Sequence, residues 1–116
     1  MTSHYERTFE QRCTDSGKSM KRWPDRACIY LEKSSTSLSI PEVDKNKYLV
    51  PKDLTIGQFM YVVRKRINLE PNEALFFMIN QNIVNTTLTI NEVYERYKDP
   101  DGFLYIKYCG ENCFGA

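Results

Sequence analysis

The chain has 116 residues, 41% hydrophobic and 27% charged, which suits one compact domain around a single core. Sixteen basic against fifteen acidic residues leave a net charge of +1, which argues against a protein held to nucleic acid by neutralising many phosphates. Cys13, Cys28, Cys109 and Cys113 fit no zinc or CxxC spacing, the opening MTSHYERTFEQR lacks a signal peptide's apolar core, and no run approaches membrane-spanning length; the expectation is a reduced, cytoplasmic protein with free thiols and no metal.

Residues 2–25 are polar and mixed in charge. Tyr5, Phe9 and Cys13 recur at every fourth position, and Met20 and Trp23 are three apart. That is helical spacing, interrupted by Asp15-Ser16-Gly17, and it predicts two short helices joined near Gly17 and ended by Pro24. His4, ahead of them, is expected to be solvated. The segment 27–31 (ACIYL) reads as a strand, Ser34-Ser35-Thr36-Ser37 as a polar loop, and 47–50 (KYLV) as a second strand closed by Pro51. The stretch between the two strands is long for a hairpin and predicts a surface excursion.

Thr55-x-x-Gln58 is a capping box, in which the threonine oxygen accepts from a free backbone N–H and the glutamine reaches back. Ile56, Phe59, Met60, Val63 and Ile67 then share one helical face. Arg64, Lys65 and Arg66 fall in the last turn, where positive charge suits the helix dipole. The run 75–79 (LFFMI) predicts a strand buried on both sides. Thr89-x-x-Glu92 is a second capping box, followed by the stripe Ile90, Val93, Tyr94 and Tyr97. Asp99-Pro100-Asp101-Gly102 predicts a turn, with Pro fixing φ and Gly supplying a positive one. The segment 103–108 (FLYIKY) predicts the last strand, and 109–116 an exposed tail.

This order, β-β-α-β-α-β after the first helices, implies an α+β fold. A four-stranded mixed sheet wraps a crossover helix in a ubiquitin-like β-grasp, preceded by two additional N-terminal helices. The expected organisation is a helical extension over 1–25 and a ubiquitin-like domain over 26–116, forming one compact unit. No carboxylate pair, phosphate loop or nucleophile–base pair stands out, so an enzyme is not expected.

The pieces WPDR, YLVPKDLTIGQFMYVVRKRI, ALFFMIN, DPDGFLYIKY and GENCFGA, in that order, resemble the autophagy-related protein 8 family, which includes the GABARAP proteins. The resemblance runs from about Phe9 to Ala116. It implies a modifier made with residues after a terminal glycine, so that Gly115–Ala116 is the scissile bond. A processing cysteine protease would expose Gly115, and E1-like and E2-like enzymes would join it to phosphatidylethanolamine on autophagosomal membranes. The soluble form is expected to be a cytoplasmic monomer without a cofactor, and the lipidated form to sit on the autophagosome membrane. Glycine suits a tail that threads narrow enzyme channels, because it has no Cβ.

The resemblance also implies that cargo receptors bearing a short aromatic-x-x-aliphatic motif add as an extended strand beside Lys47–Val50. The pocket for the aromatic residue would use Asp15, Ser19, Cys28, Tyr30, Lys47, Leu49 and Phe103. The pocket for the aliphatic residue would use Tyr48, Val50, Pro51, Leu54, Phe59 and Val62. Lys47 and Arg66 would attract acidic flanking residues. Ser19, Cys28 and Tyr30 depart from the family's usual small or aliphatic residues, which should reshape the first pocket. The alternative is an unconjugated β-grasp peptide-binding scaffold in trafficking.

Overall fold

The computed structural model describes residues 4–37 and 39–110. A 3-10 turn, His4–Glu6, leads into helix α1, Phe9–Arg22. Strands β1, Arg26–Lys33, and β2, Lys47–Pro51, are followed by helix α2, Ile56–Arg66. Strands β3, Phe76–Ile79, and β4, Asn82–Ile83, precede helix α3, Ile90–Tyr97, and strand β5, Leu104–Cys109. The five strands form one mixed sheet in the order β2-β1-β5-β3-β4. The central pair, β1 and β5, is parallel, whereas β1–β2, β3–β5 and β3–β4 are antiparallel.

Alternation along β1 explains how this sheet is covered. Ala27, Ile29 and Leu31 enter the main core with Ile56, Phe59 and Val63 of α2. Cys28 and Tyr30 point to the opposite face and pack with Phe103 in a second, smaller cluster. A strand with both faces covered has no polar alternation. The α+β β-grasp expected from the sequence is the fold observed, with β4 as a fifth, very short strand. The capping boxes at Thr55–Gln58 and Thr89–Glu92 are both formed. Gly102 closes the Asp99 turn at φ +91°, and a Cβ there would lie 2.2 Å from the Ser16 hydroxyl oxygen. That glycine is required by both its dihedral and its neighbour.

Several local expectations change. Helix α1 runs unbroken through Gly17, because a third capping box, Thr8 with Gln11, starts it and Ser16 turns its hydroxyl to the Asp101 carbonyl at 2.6 Å. The joint in the N-terminal segment therefore falls before Thr8, between the 3-10 turn and α1. Strand β3 is not buried on both sides. Phe77 and Ile79 are buried while Phe76 and Met78 are half-buried, since β3 lies near the sheet margin, between β5 and the short β4. The β3–β4 hairpin turns through Asn80 and Gln81 at φ +51° and +67°, the conformation of a tight primed turn.

The last strand does not open into solvent at residue 109. Cys109 pairs with Phe76 and is buried, and the Gly110 N–H donates to the Ser37 hydroxyl at 2.9 Å. Cys13 and Cys28 are free thiols, as expected. Residues 111–116, including the expected handle at Gly115, lie outside the described residues. His4 is buried at 4% exposure rather than solvated, because four aromatic rings surround it.

Candidate functional site

Strand β2 is the outermost strand of the sheet, so one side of its backbone is free to receive an added strand. Its register on β1 pairs Leu49 with Cys28 and Lys47 with Tyr30. These four side chains therefore stand on the face away from α2. Helix α1 approaches the same face and brings Asp15 and Ser19 beside them. Between α1, β1, β2 and the start of β5 lies a cleft of about 570 Å³.

Asp15, Ser19, Cys28, Lys47, Leu49 and Phe103, all expected in the first pocket, line this cleft. Tyr30 does not. It is 8% exposed and packs beneath the ring of His4. Trp23, Arg26, Lys45 and Tyr48 complete the lining. Trp23 ends α1 and is 38% exposed, with the Arg22 guanidinium 4.7 Å over its ring. The only sequence sign of its role was an aromatic residue at a helix end. Lys45 sits in the irregular stretch before β2 and left no sign at all.

The floor of the cleft is apolar and its rim is charged. Lys47 holds its ammonium 6.0 Å from the centre of the Phe103 ring, and Lys45 its own 5.3 Å from the Tyr48 ring. Burial pushes the Cys28 thiol up from its ordinary range, so it stays protonated. Such a site suits an aromatic side chain inserted below basic groups that favour an acidic neighbour.

The second set of residues is spread across the structure. Val50 and Phe59 are buried in the main core, at 4% and 2% exposure. Leu54 and Tyr48 are half-buried against that core. Pro51 is half-buried and Val62 is 45% exposed. Phe59 and Val50 thus back the β2–α2 surface, while Val62 faces outward. Arg66 is already engaged: its Nη2 donates to both Asp44 carboxylate oxygens at 3.1 Å, and its guanidinium lies 5.7 Å from the Tyr48 ring.

Phe103 is held in place by Asp101, a carboxylate only 1% exposed. Asp101 accepts from the Phe103 N–H at 2.8 Å, from Arg12 Nε at 3.0 Å and from the Tyr105 hydroxyl. Burial alone would raise its pKa, but the bonds from Tyr105, Phe103 and Arg12 outweigh burial and hold it below the ordinary 3.8. A depressed carboxylate pKa stabilises the fold above the unfolded value, and that contribution disappears as pH falls through the folded one. Docking of α1 is therefore expected to be intact above about pH 4 and to loosen below it. Fluorescence of Trp23, the single tryptophan, followed from pH 6 to pH 2 should show this transition. Asp101→Asn should lose the step and cost about 1–3 kcal/mol at neutral pH. An unchanged acid profile in that variant would refute the assignment.

Among the described residues, no group of three or more His, Cys, Asp or Glu side chains is placed to hold a metal ion. Among them, too, no helix is long and apolar enough to cross a membrane.

Residues 11–115 match the family model described as "Autophagy protein Atg8 ubiquitin like". The chain is 48% identical over 111 residues to Autophagy-related protein 8 of Vanderwaltozyma polyspora, covering 96% of this chain and 93% of that protein. It is 48% identical over 108 residues to Autophagy-related protein 8e of Arabidopsis thaliana, covering 93% and 88%. The crystal structure of Trypanosoma brucei ATG8 superposes with a TM-score of 0.89 at 46% identity, over 99% of this chain and 100% of that one.

Proposed function

The chain belongs to the Atg8 family of ubiquitin-like autophagy proteins, which are modifiers and not enzymes, and we propose that it acts as a lipid-conjugated tag. On this reading a cysteine protease cleaves Gly115–Ala116, and E1-like and E2-like enzymes transfer the Gly115 carboxyl to phosphatidylethanolamine. The cytoplasmic monomer then becomes an autophagosome-bound lipoprotein. There it recruits cargo receptors whose aromatic-x-x-aliphatic motifs pair with β2. Residues 1–25 serve as a helical extension of the ubiquitin-like domain over 26–116.

The observation that carries this reading is the family match over residues 11–115, which takes in Gly115. The cleft beside β2 supports the recruiting half. Its lining brings Asp15, Ser19, Cys28, Lys47, Leu49 and Phe103 together from both ends of the chain. A phospholipid supplies two acyl chains, enough for stable membrane anchoring.

Intact-mass measurement of the protein purified from its own cells under nutrient stress tests the proposal. The expected spectrum contains a form ending at Gly115 and a second one heavier by a phospholipid. Finding only the full-length, lipid-free chain would leave an unconjugated peptide-binding scaffold in its place.

A further inference from the structure

His4 precedes α1 by only a few residues, yet its ring sits inside the molecule. It stacks on Tyr30, with 4.3 Å between ring centres and 22° between planes, and stands edge-on to Phe103 at 4.8 Å. Its Nε2 lies 2.7 Å from the Tyr105 hydroxyl oxygen. Since that hydroxyl donates to Asp101, the oxygen is left to accept from Nε2–H. Nδ1 is then the unprotonated nitrogen, and it is buried without a partner among the described residues.

Phe103 lines the aromatic cleft, whereas Tyr30, its packing neighbour, is shut off from it. We propose that His4 is a stopper on the aromatic pocket, released by protonation, and that its departure uncovers Tyr30 and deepens the pocket for a large aromatic side chain. This rests on the cleft being the motif-binding groove, as proposed above.

Protonation would place a charged N–H at Nδ1, where no acceptor waits among the described residues. The surroundings favour the neutral ring. Burial acts most strongly against the charge, Lys47 of β2 adds to it, and Arg12 of α1 adds less. Asp101 and Asp15 act the other way. Glu32 of β1 is engaged by the Tyr5 hydroxyl at 2.9 Å, and Tyr30 and Tyr105 face the ring as neutral phenols. The balance lowers the His4 pKa below its ordinary 6.5. A histidine with a lowered folded pKa binds protons more readily when released. Closure is therefore complete above about pH 6.5 and weakens progressively below it. Affinity for an entering side chain is scaled by the open fraction.

The test uses the full chain and a fluorescein-labelled peptide carrying Trp-x-x-Leu with acidic flanks, read by anisotropy at pH 7.5 and pH 5.5. At pH 7.5, His4→Ala should bind about three- to tenfold tighter than the unaltered protein, the worth of one aromatic stack. At pH 5.5 the unaltered protein should approach the His4→Ala value. His4→Phe keeps the stack without a proton and should bind weakly at both pH values. His4 is also the one histidine of the chain, so its imidazole NMR signal titrates alone, and its midpoint should rise when peptide is added. Binding that ignores both His4 and pH, or an imidazole midpoint near 6.5 unmoved by peptide, overturns the stopper alone. Absence of binding by all three proteins defeats the groove reading and the stopper with it.

Discussion

Gly115→Ala is expected to reduce the lipidated form in cells by on the order of 100-fold or more, while thermal unfolding stays unchanged. The loss follows from where the chemistry happens. On the proposed reading a protease frees the Gly115 carboxylate, which is then adenylated and passed between thiols, and a Cβ at that residue would crowd each of these steps. A misplacement of about 1 Å at a reacting carbon costs on the order of 100-fold in rate. The fold should not respond, because Gly115 follows the last strand, which ends at Cys109. Gly110, the residue after β5, is buried and tied to Ser37. Substitutions away from the core usually change stability by less than about 0.5 kcal/mol. Intact-mass analysis of membrane fractions checks the first half and calorimetry the second. Normal membrane attachment by Gly115→Ala would show that the conjugated residue is another one.

What could be read in advance was what is local. The capping boxes at Thr55 and Thr89 and the apolar stripes behind them place α2 and α3, because a helix's start and buried face are written within one or two turns. The same signature at Thr8–Gln11 was hidden behind the Asp15-Ser16-Gly17 triplet. There Ser16 is not a breaker but a contact to Asp101, 85 residues away. Strand β4 escaped because its turn uses Asn80-Gln81 without glycine, so nothing marks the positive φ values. His4 shows the limit most sharply. Its burial depends on Tyr30, Phe103 and Tyr105, the last 101 residues distant, and no periodicity reports a contact of that range. The cleft is an intermediate case. Alternation places Cys28 and Tyr30 on one face of β1, but their meeting with Asp15 and Phe103 follows from the sheet order.

Phe59→Ala is expected to destabilise the protein by about 3–5 kcal/mol and to lower the melting temperature by roughly 10–30 °C. Phe59 is 2% exposed in the first turn of α2. Its ring meets Tyr48 edge-on at 5.5 Å on one side and Phe77 at 5.6 Å on the other. Truncation removes both ring pairs and leaves a cavity between the helix and the sheet, which the close-packed neighbours fill only in part. The loss is a large share of the about 5–15 kcal/mol that holds an ordinary domain together. It also reaches the cleft. Tyr48 lines that cleft while leaning on Phe59, so peptide binding should weaken along with stability. Val62, one turn further and 45% exposed, separates support from contact. Val62→Ala should change stability by less than about 0.5 kcal/mol and, if α2 borders the aliphatic pocket, weaken binding of a Trp-x-x-Leu peptide by itself. Calorimetry and anisotropy on the same preparations give both quantities. A Phe59→Ala protein as stable as the parent would remove Phe59 from the core. A Val62→Ala protein that binds as tightly as the parent would move the aliphatic pocket off this face of α2.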